Sequence, residues 1–144
     1  EYGAYSEAPD VWERITNRIR MKFETGREKL PKPEYRRIAD AEVGLIFMGS
    51  TEPAVLEAQD KLQAMGILTD TMRIRSLPFS QDVKDFIQSH ERNYVLELNL
   101  DGQLHQILSI EHCDMVHLLI SLCHIDGLPM TAEWIIKSVT EKEQ

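Results

Sequence analysis

Three groups of residues in this 144-residue chain have types and spacing that could do chemistry. The densest is Glu97-Leu98-Asn99-Leu100-Asp101-Gly102-Gln103-Leu104. Glu97 closes a mostly apolar run from Tyr94, and a carboxylate in such a setting must be paired, hydrogen-bonded or protonated. It could serve as a general base. Alternatively it is structural, held by backbone amides or an arginine, with Asn99, Gly102 and Gln103 organising the turn or meeting a neighbouring chain. A lone carboxylate with no second acid, His or Lys at fixed spacing favours the structural use. The second group, Gly49-Ser50-Thr51, separates a predicted strand from a predicted helix. A helix N-terminus offers free amides and partial positive charge to an anion. The segment has neither the GxGxxG pattern nor a Walker lysine, and Ser50 or Thr51 acting as a helix cap accounts for it equally. The third group is His105, His112, His117 and His124 with Cys113 and Cys123. Zinc ligands must converge tetrahedrally, and these match no established spacing, so no metal site is assigned. No GxSxG or other activated nucleophile is present, and no catalytic residue is assigned.

The elements that must position these residues follow from periodicity. Val11, Ile15, Ile19 and Phe23 recur every fourth position, flanked by Trp12 and Met21, which predicts an amphipathic helix from about Asp10 to Lys29. Asp10 and Glu13 have the spacing of a capping box. Such a helix lies either on the domain that follows or on another chain. Leu30-Pro31-Lys32-Pro33 ends it as a stiff connector. Val43–Met48 is a continuous apolar run, as in a strand buried on both faces. A helix from Pro53 to Met65 ends at Gly66. A strand around Ile67–Ile74, a turn at Leu77-Pro78-Phe79 and a short helix from Ser80 to Ser89 follow. Tyr94–Leu98 is a third strand, and Asp101-Gly102 opens a helix through Ile110. Met115–Leu122 is a fourth apolar strand. After the turn Asp126-Gly127-Leu128-Pro129, Thr131 caps a closing helix that carries Trp134, Ile135, Ile136 and Val139. Strands alternating with helices imply an α/β fold with a parallel-rich sheet covered on both sides.

Composition bounds the function. The net charge of −8 is uneven. Residues 1–40 hold nine Lys/Arg against eight Asp/Glu, and residues 41–144 hold seven against sixteen. The acidic body argues against nucleic acid as a partner, because phosphate contacts need a positive face. No apolar run approaches the ~20 residues of a membrane span, and no leader peptide is evident. Two cysteines are too few for a disulfide framework or for an iron–sulfur cluster, which needs about four thiolates. A reduced, cytoplasmic setting is expected.

Several blocks occur in an order that resembles a known family. They are Lys29-Leu30-Pro31-Lys32-Pro33, Ala39-Asp40-Ala41-Glu42-Val43-Gly44-Leu45-Ile46, Gly49-Ser50-Thr51, Glu97-Leu98-Asn99 with Gly102-Gln103-Leu104, and Asp126-Gly127-Leu128-Pro129-Met130-Thr131 with Trp134-Ile135. Together they resemble the C-terminal part of the alpha subunit of 2-oxoacid:ferredoxin oxidoreductases, especially the 2-oxoglutarate branch. The resemblance implies a three-layer α/β/α fold similar to the transketolase C-terminal domain, with a mostly parallel five-stranded sheet. The residues supply four strands, and the region Tyr35–Ile38 is the candidate for the fifth. The expected organisation is a helical arm with its Pro-containing connector (1–38) and an α/β domain (39–144). The family's enzymes use thiamine diphosphate with Mg²⁺, an iron–sulfur cluster, coenzyme A and ferredoxin. The resemblance places thiamine between an upstream alpha-subunit domain and the beta subunit. None of these groups is then held by this chain, whose partners would be the remaining alpha-subunit domains and the beta subunit. The role left to it is packing and assembly. The rival is a regulatory module that takes a nucleotide or organic anion beside Gly49-Ser50-Thr51. An exposed apolar patch, under the Trp12 helix, is expected where other domains pack.

Overall fold

The computed structural model describes residues 5–143. The elements run α1 (Pro9–Lys29), β1 (Glu34–Arg36), β2 (Val43–Met48), α2 (Glu52–Ala64), β3 (Thr69–Ile74), α3 (Gln81–Gln88), β4 (Arg92–Glu97), α4 (Gln103–Glu111), β5 (Leu119–Cys123) and α5 (Ala132–Glu143). Five strands form one sheet in the order β1-β3-β2-β4-β5. β3, β2, β4 and β5 are mutually parallel, and β1 pairs antiparallel with β3 at the edge. The fifth strand is therefore Glu34–Arg36, so the last residues of the connector join the sheet.

Period-two alternation sorts the central strands between two cores. Leu45, Phe47, Tyr94 and Leu96 face α2 and α5, packing on Val55, Leu62, Ile135 and Val139. Ile46, Met72, Val95 and Leu119 face α3 and α4, packing on Val83, Phe86, Ile87, Leu104 and Leu108. Helices on both faces of a continuously apolar parallel sheet make the three-layer sandwich. Gly44, the second residue of β2, stands directly opposite Asn93 on β4. A Cβ on Gly44 would lie 2.3 Å from Asn93 Oδ1 and 2.8 Å from Phe86. That space is taken by the Asn93 amide, whose Nδ2 donates to the carbonyls of Ile87 (3.0 Å) and Leu118 (3.4 Å).

Three expectations are corrected. The run Met115–Leu122 is not one strand: Cys113–Leu118 forms a 3-10 turn and the strand is Leu119–Cys123. Met115 is buried in the second core from that turn, which is why the run is apolar without being extended. Asp10 does not cap α1. The helix starts at Pro9, whose missing N–H is one of the donors a helix start leaves unpaired, and the Ala8 carbonyl accepts from Val11 and Trp12. β3 begins at Thr69, because the Gly66 turn (φ +87°) and the Ile67 amide bonded to the Leu62 carbonyl still belong to the end of α2.

α1 buries no residue. The polar contacts that attach it to the body come from its last turns. Arg27 donates to the Phe79 carbonyl (2.8 Å) and pairs with Glu111, and Gly26 packs beside Pro78. Ser76 then donates to the Pro31 carbonyl, and Lys32 pairs with Asp82 at 3.0 Å. Among the described residues, no helix is long and apolar enough to cross a membrane.

Candidate functional site

From β2 the chain passes to β3 on one side, then returns past β2 to β4 on the other. The strand order thus reverses between β2 and β4. In open α/β sheets, ligand crevices form at such a switch point, outside the carboxyl ends of the strands. A crevice of about 330 Å³ lies there, lined among others by Met48, Ser50, Leu77, Leu98, Gln103 and Ile107. Gly49, Thr51, Glu97 and Asn99 also face it. The structure brings together two of the three residue groups singled out in the sequence.

Glu97 is the last residue of β4 and is 6% exposed. Its Oε1 accepts from the Leu104 amide at 2.6 Å and from Asn99 Nδ2 at 2.9 Å, and its Oε2 accepts from the His105 amide at 3.0 Å. Both amides belong to the first turn of α4, where carbonyl partners are lacking. Asn99 Oδ1 accepts from the amides of Gly102 (2.7 Å) and Gln103 (3.2 Å). A side-chain carboxylate therefore occupies the position that an anionic ligand would take at this helix N-terminus. Gly102 is left-handed (φ +63°), and a Cβ there would come within 2.8 Å of Ser121 Oγ. Only glycine takes that backbone without strain and fits beside β5. The Gln103 side chain is exposed at the rim.

Gly49 is also left-handed (φ +70°), but open space surrounds it. Gly49–Thr51 form a 3-10 turn, with Ser50 exposed and Thr51 buried. No side chain caps α2, so the cap expected of Ser50 or Thr51 does not form. The first turn of α2 carries Glu52, which accepts from Arg73 at 2.8 Å.

The histidines and cysteines do not converge. His112 is buried, and burial holds its pKa below the usual histidine range. His117 and Cys113 are exposed. His124 packs on Trp134 and contacts Asp126 at 2.9 Å. Among the described residues, no group of three or more His, Cys, Asp or Glu is arranged to hold a metal ion.

Two features escaped the sequence reading. The first is the apolar rim. Met48, Leu77, Leu98 and Ile107 are each at least 39% exposed around the crevice. A shallower depression sharing Ser50 and Leu98 extends the surface to Ile125 and Leu128. Residues from five separate loops and helices make the rim, so no local spacing encodes it. The second is a buried ionic cluster at the opposite, amino end of the strands. Asp70 accepts from Arg37 (3.0 Å) and the Ile38 amide (2.7 Å) and contacts His90 Nε2 (3.2 Å). His90 Nδ1 lies 2.8 Å from the Phe86 carbonyl. An aspartate between the two threonines that open β3 was the available signal.

No family model matches the chain. It is 31% identical to subunit alpha of 2-oxoacid:ferredoxin oxidoreductase 2 of Aeropyrum pernix, over 75% of this chain and 18% of that protein. It is 26% identical to the 2-oxoacid:ferredoxin oxidoreductase alpha subunit of Saccharolobus solfataricus, over 99% of this chain and 23% of that protein. Among solved structures, the 2-oxoglutarate:ferredoxin oxidoreductase of Magnetococcus marinus, with 2-oxoglutarate, coenzyme A and succinyl-CoA bound, superposes with a TM-score of 0.83. That match has 28% identity and covers 99% of this chain and 25% of that one. A split-gene transketolase, an inactive beta4 tetramer, superposes with a TM-score of 0.60 at 16% identity over 75% of this chain and 40% of that one, a likeness of fold alone. The chain thus spans between 18% and 25% of the length of its oxidoreductase relatives. With its five-stranded, mostly parallel, transketolase-like sheet, the chain is an alpha-subunit domain of the 2-oxoacid:ferredoxin oxidoreductase family.

Proposed function

We propose that this chain is a non-catalytic domain serving domain packing and subunit assembly in a thiamine-diphosphate-dependent 2-oxoacid:ferredoxin oxidoreductase. The parent reaction is the coenzyme-A-dependent oxidative decarboxylation of a 2-oxoacid, with electrons passed to ferredoxin. 2-Oxoglutarate is the favoured substrate, since the structure of the Magnetococcus relative has it bound. In this reading residues 39–144 form the packing body, and residues 1–38 are an arm whose end is stitched into the sheet.

The observation that carries the reading is how Glu97 is used. Its oxygens are engaged by two helix amides and the Asn99 side chain, while the surrounding rim is exposed and apolar. A buried, satisfied carboxylate inside an apolar surface suits a rigid docking face better than proton transfer. The residues present do not fit the parent's cofactors. A magnesium diphosphate needs converging oxygen ligands and positive charge, whereas Glu52 and Glu97 put negative charge at the two helix N-termini beside the crevice. Cys113 and Cys123 fall short of the four thiolates of a cluster. Those groups belong, in this reading, to the other alpha-subunit domains and the beta subunit.

The test is capture of the purified chain by the thiamine-binding beta subunit and by the rest of the alpha subunit. Leu98→Asp with Gln103→Lys, both at exposed positions, should weaken capture at least tenfold and leave thermal unfolding unchanged. Unaltered capture would overturn the role of this face. The location of the crevice at the switch point supports a second reading, a module that takes a nucleotide or organic anion. Absent capture together with a clear thermal shift from coenzyme A or a nucleotide would favour it.

A further inference from the structure

The strand-end face is not the sole apolar surface without a partner. Along α1, helical spacing gathers Val11, Trp12, Ile15, Ile19, Phe23 and Gly26 within an arc of about 120°. Trp12 is 74% exposed and Phe23 56%. At Gly26 this stripe meets Pro78 of the body, and the neighbouring Leu77 lies on the crevice rim. The two apolar surfaces are thus joined through Leu77-Pro78, and the stripe continues along α1 from that contact, burying nothing.

The charges beside the stripe select what can cover it. Helical spacing puts Arg14 and Arg18 along one edge and Arg20 along the other, with Lys22 just inside the arc, while Arg27 is already paired with Glu24 and Glu111. The acids Asp10, Glu13, Glu24 and Glu28 fall behind. A self-associated pair of such helices would set basic edges against basic edges, which disfavours a second copy's α1 as occupant. Area points the same way. From Val11 to Gly26 the stripe runs ~24 Å at 1.5 Å per residue and ~10 Å wide. That is ~240 Å², well below the ~800 Å² per partner of a stable interface between separate molecules. A contact of that size holds when covalent connection supplies a high effective concentration. The Magnetococcus superposition covers 99% of this chain, yet only 25% of the chain it matches. Most of a relative's polypeptide therefore lies outside the matched region.

We propose that the α1 stripe docks into an apolar groove edged with carboxylates on the remainder of the same alpha-subunit polypeptide. This rests on the assembly reading and extends it from contacts between subunits to packing within one. The partner groove is recognised by its chemistry: apolar floor, acidic edges, and a length of about four helical turns.

Limited trypsin digestion of the complete alpha subunit that carries this chain tests it. Arg14, Arg18, Arg20 and Lys22 give trypsin several sites on α1. In the parent subunit these sites should be cut at least tenfold more slowly in low salt than in the variant Ile19→Glu/Phe23→Glu. A control, Glu13→Gln on the opposite face, should leave the protection unchanged. Both variant side chains are exposed here, so the body should unfold at the parent's temperature. Equal cleavage in parent and variant would overturn the proposal. So would protection that vanishes on dilution, which would assign the stripe to a second copy. Loss of beta-subunit capture by Leu98→Asp/Gln103→Lys is read separately, so failure of either idea is distinguishable from failure of the other.

Discussion

Glu97→Gln asks directly whether the carboxylate at the strand ends is a structural cap. The substitution keeps shape and removes charge. With its oxygen placed at the Oε1 position, glutamine can still accept from Leu104 and Asn99. Its amide nitrogen then faces the His105 amide at about the 3.0 Å now spanned by Glu97 Oε2. Two donors meet, and a buried N–H loses its acceptor. Loss of a hydrogen bond to a charged group is worth about 1.5–3 kcal/mol. Removal of a negative charge from a partly buried helix N-terminus adds about 1 kcal/mol. The expected destabilisation is therefore about 2.5–4 kcal/mol, a large part of the ~5–15 kcal/mol that holds such a domain folded. For a domain of this size that corresponds to a fall in Tm of roughly 8–14 °C. Calorimetry and urea denaturation at neutral pH should agree on the loss, with an unchanged m-value. Asn99→Ala should be less severe alone and non-additive with Glu97→Gln, because the two share one network. A Glu97→Gln variant within about 0.5 kcal/mol of the parent would refute the cap, and with it the argument that Glu97 is unavailable for chemistry.

Further outcomes follow from other named contacts. Gly102→Ala combines a left-handed backbone with a Cβ 2.8 Å from Ser121 Oγ, so it should lose about 1–3 kcal/mol in urea unfolding, and Ser121→Ala should restore part of that loss. Asp70→Ala leaves His90 and the part-buried Ile38 amide without their acceptor and should lose about 2–3 kcal/mol in the same assay; hydrogen exchange should show the β1 edge opening. The pKa of His112 is lowered by burial, so the unfolded chain binds its proton more readily. Its contribution is fully present above the unfolded value near 6.5 and is lost as pH falls through the folded value. Replacement by Phe should flatten stability against pH below about 6.5, and an unchanged slope would refute that source. Burial and the hydrogen bond to Glu143 raise the Tyr94 pKa. Its contribution is present below about pH 10 and is lost above it. Tyr94→Phe should therefore reduce the fall in stability seen in alkaline titrations, as followed by circular dichroism.

What was legible in the sequence depended on whether an element is defined by its own residues. β2, with five successive buried residues, announced itself as a central strand. Thr131 was legible as a cap and does bond the Trp134 amide at 3.2 Å. β1 could be no more than a guess, because Glu34, Tyr35 and Arg36 are all exposed and no alternation marks them. Its place is set by partners distant in sequence, with Glu34 meeting Arg73 at 3.4 Å and Arg75 at 2.9 Å. The misread strand before Leu119 has the opposite cause. Met115 and Leu119 share a core although one is in a 3-10 turn and the other in a strand, and apolarity records burial rather than backbone shape. At the candidate site, the polar residues were legible because Glu97, Asn99 and Gly102 bond within eight residues of one another. The rim was not, since Met48, Leu77, Leu98 and Ile107 meet only through the fold.

The close approach of Asn93 to Gly44 has a consequence for how sequences of this family can drift. The asparagine amide fills the volume that any larger residue at position 44 would need, and it ties β4 to the carbonyls of Ile87 and Leu118. Neither position can change first without loss: a methyl at 44 collides, and a small residue at 93 leaves a hole and takes a donor from the carbonyls of Ile87 and Leu118. The pair should be inherited as a unit. Lineages that escape it must replace both, Ala at 44 with Ser or Ala at 93, and also shift the Phe86 ring, which would lie 2.8 Å from the new methyl. In an alignment the two columns should therefore vary together or not at all, a covariation that reports a strand register rather than a shared role in catalysis.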